Sequence, residues 1–161
     1  MSLIYIGGGA FLEIKVGYGC CGVVFGMTEK GVIDVLGQPS KEYFRYITKG
    51  CNNKVYRYDR LMLMLVFAEE KAYRLYDIEV YDPSMTLLNC ELHNKGMDEV
   101  TSFLHSQGYI TLRNEEYDTF DVILCDELNM EFHFEFHRLT NICFSPLWEN
   151  DTIAWPIGIW S

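Results

Sequence analysis

The feature that most limits what this chain can fold into is an internal likeness between its two halves. Val32, Val35 and Leu36 make an apolar helical stripe in the first half, and Val100, Phe103 and Leu104 make its counterpart in the second. Two strand-like runs then follow each stripe in the same order. LMLMLVF from Leu61 aligns with LNMEFHF from Leu128, setting Leu61, Leu63, Leu65 and Phe67 against Leu128, Met130, Phe132 and Phe134. Such alternation places one face of a strand in a core. RLYDIEVYDP from Arg74 aligns with RLTNICFSP from Arg138, and each half closes at a proline, Pro83 or Pro146. Three matching runs in one order predict a tandem arrangement inside a single domain over 1–161. The first repeat covers 22–83, the second 84–146, and a Trp-rich tail covers 147–161.

Each stripe carries start and stop signals. Thr28 is placed to cap the first helix, Glu29 sits in its first turn, and Gly37 followed by Pro39 ends it; Asn94 and Gly108 bracket the second. Gly31 and Gly96 weaken both helices by up to about 1 kcal/mol against alanine, so tertiary packing must hold them. The expected fold class is therefore α+β: two fused helix plus antiparallel-sheet repeats, preceded by a short N-terminal strand pair. At 161 residues and 49% hydrophobic composition the chain has enough apolar surface to fold without disulfides or a structural metal.

The halves differ on the second strand face. Met62, Met64 and Val66 alternate with core residues in the first half, where the second has Asn129, Glu131 and His133. A strand apolar on both faces needs a cover. The N-terminal strands, the tail with Trp148, Trp155 and Trp160, a partner protein or a second copy of the chain would each supply one.

Thirteen Lys+Arg against twenty-three Asp+Glu give a net charge of −10, which repels phosphate backbones and anionic membranes. The expectation is no nucleic acid and no membrane, with a basic protein as the favoured partner. The N-terminus has no basic start or unbroken apolar run, and no stretch approaches the roughly 18 apolar residues that span a bilayer. Six scattered cysteines without a C-x-x-C pair read as buried reduced thiols. Together these features predict a cytoplasmic protein.

Chemical motifs are weak. Gly17-Tyr-Gly-Cys-Cys-Gly22 fits G-x-G-x-x-G, but VVFG follows where a dinucleotide loop must open a helix, so a glycine-rich hairpin turn is expected. His133-Phe-Glu-Phe-His137, with Glu131 before it, spaces imidazoles and carboxylates along one strand face, a pattern that zinc or copper sites use. A solvated polar face is the favoured explanation, since a half-exposed strand needs alternating polar residues, and no cysteine is locally placed as a further ligand. Neither a nucleophile elbow, a phosphate-binding loop nor H-E-x-x-H is present. The chain is therefore expected to be no enzyme and to carry no cofactor or metal. Tyr43, Tyr46, Tyr56 and Tyr58 lie on or near the first sheet, where aromatics suit both sheet packing and interfaces.

The stretch GMTEKGVIDVLGQP, then VYRY, LMLMLVF and RLYDI, resembles the outer-membrane assembly lipoprotein BamE family over about residues 22–82, and residues 94–146 do so loosely. The tandem arrangement is similar to the β-lactamase inhibitor protein family and to small bacterial immunity proteins. Two departures stand out: there is no lipobox, and His105 and Ser106 occupy the places of Gly37 and Gln38. The resemblance implies a concave sheet that clasps a target. The functional expectation is a non-enzymatic inhibitor or immunity-type module that binds a basic toxin or enzyme, with Tyr56, Tyr58, Met62, Met64, Glu131 and His133 as partner-binding residues. The alternative is a carrier of a small hydrophobic ligand, or a self-associating structural protein or homodimer.

Overall fold

The computed structural model describes residues 12–48 and 51–156. The chain enters through three short strands, β1 (Glu13–Ile14), β2 (Gly19–Cys20) and β3 (Val23–Val24), and then forms α1 (Glu29–Leu36). Four longer strands follow: β4 (Lys41–Thr48), β5 (Cys51–Tyr58), β6 (Leu63–Ala68) and β7 (Arg74–Val80). A small pair, β8 (Thr86–Leu87) and β9 (Cys90–Glu91), leads into α2 (Met97–Ser106). Then come β10 (Leu112–Glu116), β11 (Asp121–Cys125), β12 (Met130–Glu135) and β13 (Arg138–Phe144), and the tail forms β14 (Trp148–Glu149) and β15 (Thr152–Ile153).

This architecture corrects the expected one. The chain is mostly β rather than an α+β pair of helix-plus-sheet repeats: eight strands join into one antiparallel sheet, ordered β10-β11-β12-β13-β7-β6-β5-β4, and the two α-helices contribute only 8 and 10 residues. The physical reason lies at the centre of the sheet. β13 pairs with β7 through Ile142↔Val80, Cys143↔Glu79 and Phe144↔Ile78, so ladder hydrogen bonds join strands of the two halves into one continuous sheet. Helix α1 is also too short to close a core of its own, burying Val32 alone completely.

One face of the sheet is the core side. Leu63, Leu65, Ile78, Phe132, Ile142 and Phe144 are each at most 1% exposed, and each such burial contributes about 1.5–3 kcal/mol. They pack with Val32 of α1, Val100 and Leu104 of α2, and the N-terminal segment, whose Phe25 meets Phe144 edge to face at 5.3 Å. Leu61 and Met62 fall outside β6: a 3₁₀ turn takes up 59–61, and Met62 adopts a left-handed conformation. Thr28 caps α1, its side-chain oxygen accepting from the Gly31 N–H at 3.0 Å. The cap of α2 is Gly96 rather than Asn94; Asn94 takes a left-handed conformation, and the Glu99 carboxylate accepts from the Gly96 N–H.

The GYGCCG segment belongs to the β2–β3 hairpin, closed by Cys21 and Gly22 at positive φ. A Cβ on Gly19 would lie 2.0 Å from the Val23 carbonyl oxygen, whereas one on Gly37, at φ 80°, meets nothing within 4 Å. Gly37→Ala should therefore cost only its backbone strain, about 1–3 kcal/mol, while Gly19→Ala adds a clash with backbone, must force the hairpin open and should cost more than Gly37→Ala. Urea unfolding of the two variants checks this, and equal losses would contradict it.

Candidate functional site

The second face of the sheet is concave. Arg45 on β4 reaches Glu79 on β7 with a 3.0 Å ion pair, although three strand spacings, about 14 Å in a flat sheet, separate those strands. That contact requires the β4–β5 arm to curl over the face. Beneath the arm lies a cavity of ≈ 330 Å³ lined by Arg45, Ile47, Val66, Tyr76 and a polar cluster of Asp77, Glu79, Glu131, His133, Cys143 and Ser145. Val66 is covered by this arrangement; the tail runs elsewhere, with Trp148 beside Lys71 and Trp155 against the core. Trp160 lies outside the described residues.

Cross-strand register gathers the cluster. Glu131 pairs with Cys143 and Cys143 with Glu79, while Ser145 donates to Asp77 at 3.0 Å. Glu131 and His133 share one face of β12, and their side chains approach to 3.1 Å. The His133 ring stacks on Phe120 at 5.7 Å. Three carboxyl groups thus face one guanidinium in a cleft whose floor is buried at Glu79 and Cys143, while Glu131 at its rim stays about half exposed, at 49%. Burial, with Glu79 beside it, pushes the Asp77 carboxyl up to about 7; the Ser145 hydroxyl offsets only part of this. The His133 contact lowers Glu131 despite its partial burial. Burial, reinforced by the Asp77, Glu79 and Glu131 charges, raises the Cys143 thiol well above its ordinary value.

The expected partner residues divide into three groups. Tyr56 and Tyr58 point away from the concave face into the core, at 3% and 5% exposure, where their hydroxyls donate to Glu29 at 2.6 Å and to the Gly37 carbonyl at 2.9 Å. Their tyrosine alternation was legible, but nothing in VYRY told which face would be covered. Met62 and Met64 border a shallow groove of ≈ 310 Å³ with Tyr81 and Arg57. Glu131 and His133 meet in the concave cavity. His137 leaves the strand in a left-handed turn, exposed and 3.8 Å from Asp121, so it does not join His133.

Two features escaped the sequence. Cys143 was hidden in the apolar run NICF, and only sheet register places it beside Glu131. Phe136 continues the apolar alternation of Phe132 and Phe134, yet it sits at the tip of the β12–β13 hairpin, 94% exposed and at φ 51°. Phe136 and His137 both adopt positive φ, the two-residue turn that ordinarily calls for Asn-Gly. Beside them opens a groove of ≈ 630 Å³ formed with Gly96, Met97, Asp98, Glu99 and Arg138.

No protein-family model and no curated protein matches the chain. Its backbone is similar to an extracellular protein containing a SCP domain from Bacillus anthracis strain Ames, with a TM-score of 0.42 and 12% identity over 74% of this chain and 43% of that one. The chain thus spans less than half the length of that protein, and a likeness this weak supports no conclusion about fold or function.

Asp77 sets a pH dependence. Below about pH 4 the carboxyl is protonated in folded and unfolded chains alike, and above about 7 it is charged in both. Between these limits the folded chain holds the proton more tightly, so the stability it contributes is present at the acid end and lost as pH rises through about 7. Asp77→Asn cannot titrate, so it should gain about 2–3 kcal/mol relative to wild type between about pH 5 and about pH 8. Parallel pH–stability curves for the two proteins would refute this role.

Proposed function

We propose that this chain is a non-enzymatic protein-binding module of the inhibitor or immunity type, acting on a basic protein target in a reducing, cytoplasmic setting. The observation that carries the reading is Phe136. A phenylalanine held in left-handed conformation at a hairpin tip, with 94% of its surface exposed, is unfavourable twice over for the isolated chain. A large, stiffly presented aromatic of this kind is what anchors the centre of an interface. β12 and β13 are interior strands, each paired on both sides, so the tip projects from a rigid base. Carboxylates outnumber cations around it: Asp98, Glu99, Asp121 and Glu135 stand against Arg138 and Lys95, both of which lie 3.9 Å from Glu99. This local charge agrees with the net −10 in favouring a cationic target.

The β4 edge strand also exposes Phe44 and Tyr46 at 61% and 66%, offering a second contact region. No helix among the described residues is long and apolar enough to cross a membrane.

Phe136→Asn separates the anchor from the scaffold. Asparagine tolerates left-handed backbone, so the variant should be as stable as wild type or up to about 1 kcal/mol more stable. Capture of a stoichiometric partner from lysate of the source organism should nevertheless weaken by at least about 30-fold, and wild-type capture should weaken with salt. Undiminished capture by a folded Phe136→Asn protein, or capture that salt does not affect, would sink the reading.

A further inference from the structure

We propose that Glu131, His133 and Cys143 form a zinc site on the concave face. Their ligand atoms, a carboxylate oxygen, an imidazole nitrogen and a thiol sulfur, all lie within 4.8 Å of one another. Bonds of about 2.0–2.3 Å in tetrahedral arrangement place ligand atoms roughly 3.3–3.8 Å apart. The observed pair of His133 and Glu131, at 3.1 Å, already falls just inside that spacing, so small side-chain rotations bring the set onto it. Among the described residues this is the one place where three such groups converge.

The surroundings suit a cation and this cation in particular. One sulfur, one nitrogen and one oxygen are the donor mixture zinc accepts; calcium and magnesium require oxygens throughout. Cys143 is 8% exposed and still lines the cavity, and the Asn141 amide donates to its sulfur at 3.6 Å, an outer contact that steadies a metal-bound thiolate. Stacking on Phe120 holds the His133 ring. Glu79 and Glu131 set two carboxylates against the single Arg45, so the cluster is short of positive charge. Three protein ligands leave a fourth position open to the cavity, where a water or an incoming donor atom fits. On binding, the Cys143 thiol releases its proton to solvent as a sulfur–zinc bond replaces a zinc–water bond, and no electron is transferred.

The inference goes beyond the partner reading and does not rest on it, because metal binding is measured on the chain alone. Purified, tag-free, reduced protein is titrated with cobalt(II) as a spectroscopic probe, and with zinc(II) in competition with a chromophoric chelator. One equivalent of cobalt should produce a thiolate-to-metal charge-transfer band and a tetrahedral visible spectrum, both displaced by zinc. Cys143→Ser should abolish the charge-transfer band and weaken zinc binding at least about 100-fold, and His133→Gln should weaken it at least about 10-fold. Cys51→Ser and Cys90→Ser, the partly exposed thiols elsewhere, should bind as wild type does. Should Cys143→Ser fail to fold, His133→Gln and Glu131→Gln decide the matter. Absence of the band, a band that survives loss of Cys143, or zinc affinity unchanged by loss of His133 in folded protein, overturns the site.

Discussion

Everything in this molecule depends on the register between β13 and β7. The pairs Ile142↔Val80 and Phe144↔Ile78 turn their side chains toward the helices, and Cys143↔Glu79 between them turns outward. A slip of β13 by one residue would exchange its faces, placing Asn141 and Cys143 in the apolar core and Ile142 and Phe144 on the concave side. Burial of the aromatic and aliphatic residues under α1, α2 and Phe25 therefore enforces the register. The polar cluster follows as the obligatory other side of the same pairing. Ser145 reaches Asp77 one step further along, so a single junction assembles most of the cavity floor.

The apolar half of this arrangement was legible in the sequence. Leu63, Leu65 and Phe67, with Met130, Phe132 and Phe134, alternate as half-buried strands must, and Thr28 and Gly37 delimit the first helix. What could not be read was the joining of elements distant in sequence. Likeness between two halves suggested two fused helix-plus-sheet repeats, but which strands pair across the junction is decided by edge pairing, which no local pattern encodes. Tyr56 shows the same limit: both faces of VYRY carry large residues, and the helix lying over one of them settles the orientation. Cys143 and Phe136 were obscured in opposite ways. Cys143 looked apolar through its neighbours and gained polar company only across strands, whereas Phe136 kept the core alternation just as a left-handed turn removed it from the core.

Electrostatics separates what holds the fold from what the fold holds. Asp77 and Glu79 face one arginine in a poorly solvated cavity, and Asp77 keeps a proton that a free carboxyl would have lost. Replacing the Asp77 carboxyl by an uncharged group would relax the folded chain at neutral pH, so its charge does not explain the stability. The position of Asp77 and Glu79 is imposed by strands that the opposite face has already fixed. Groups that cost stability, and that a scaffold carries without needing, are where function is to be sought.

Phe136 obeys the same logic by a different physical route, since its cost is backbone strain and exposed apolar surface rather than unbalanced charge. Phe136 and the groups Glu131, His133 and Cys143 lie on the β12–β13 hairpin, whose strands are hydrogen-bonded on either side. A rigid support is what a preorganised site needs, because binding then pays little ordering entropy. The edge strand β4, by contrast, supplies the curling arm whose Arg45 closes the cavity from above. The sheet thus divides its labour by position: interior strands fix the groups that would engage a metal or a partner, and the edge strand governs how open the cavity is to solvent.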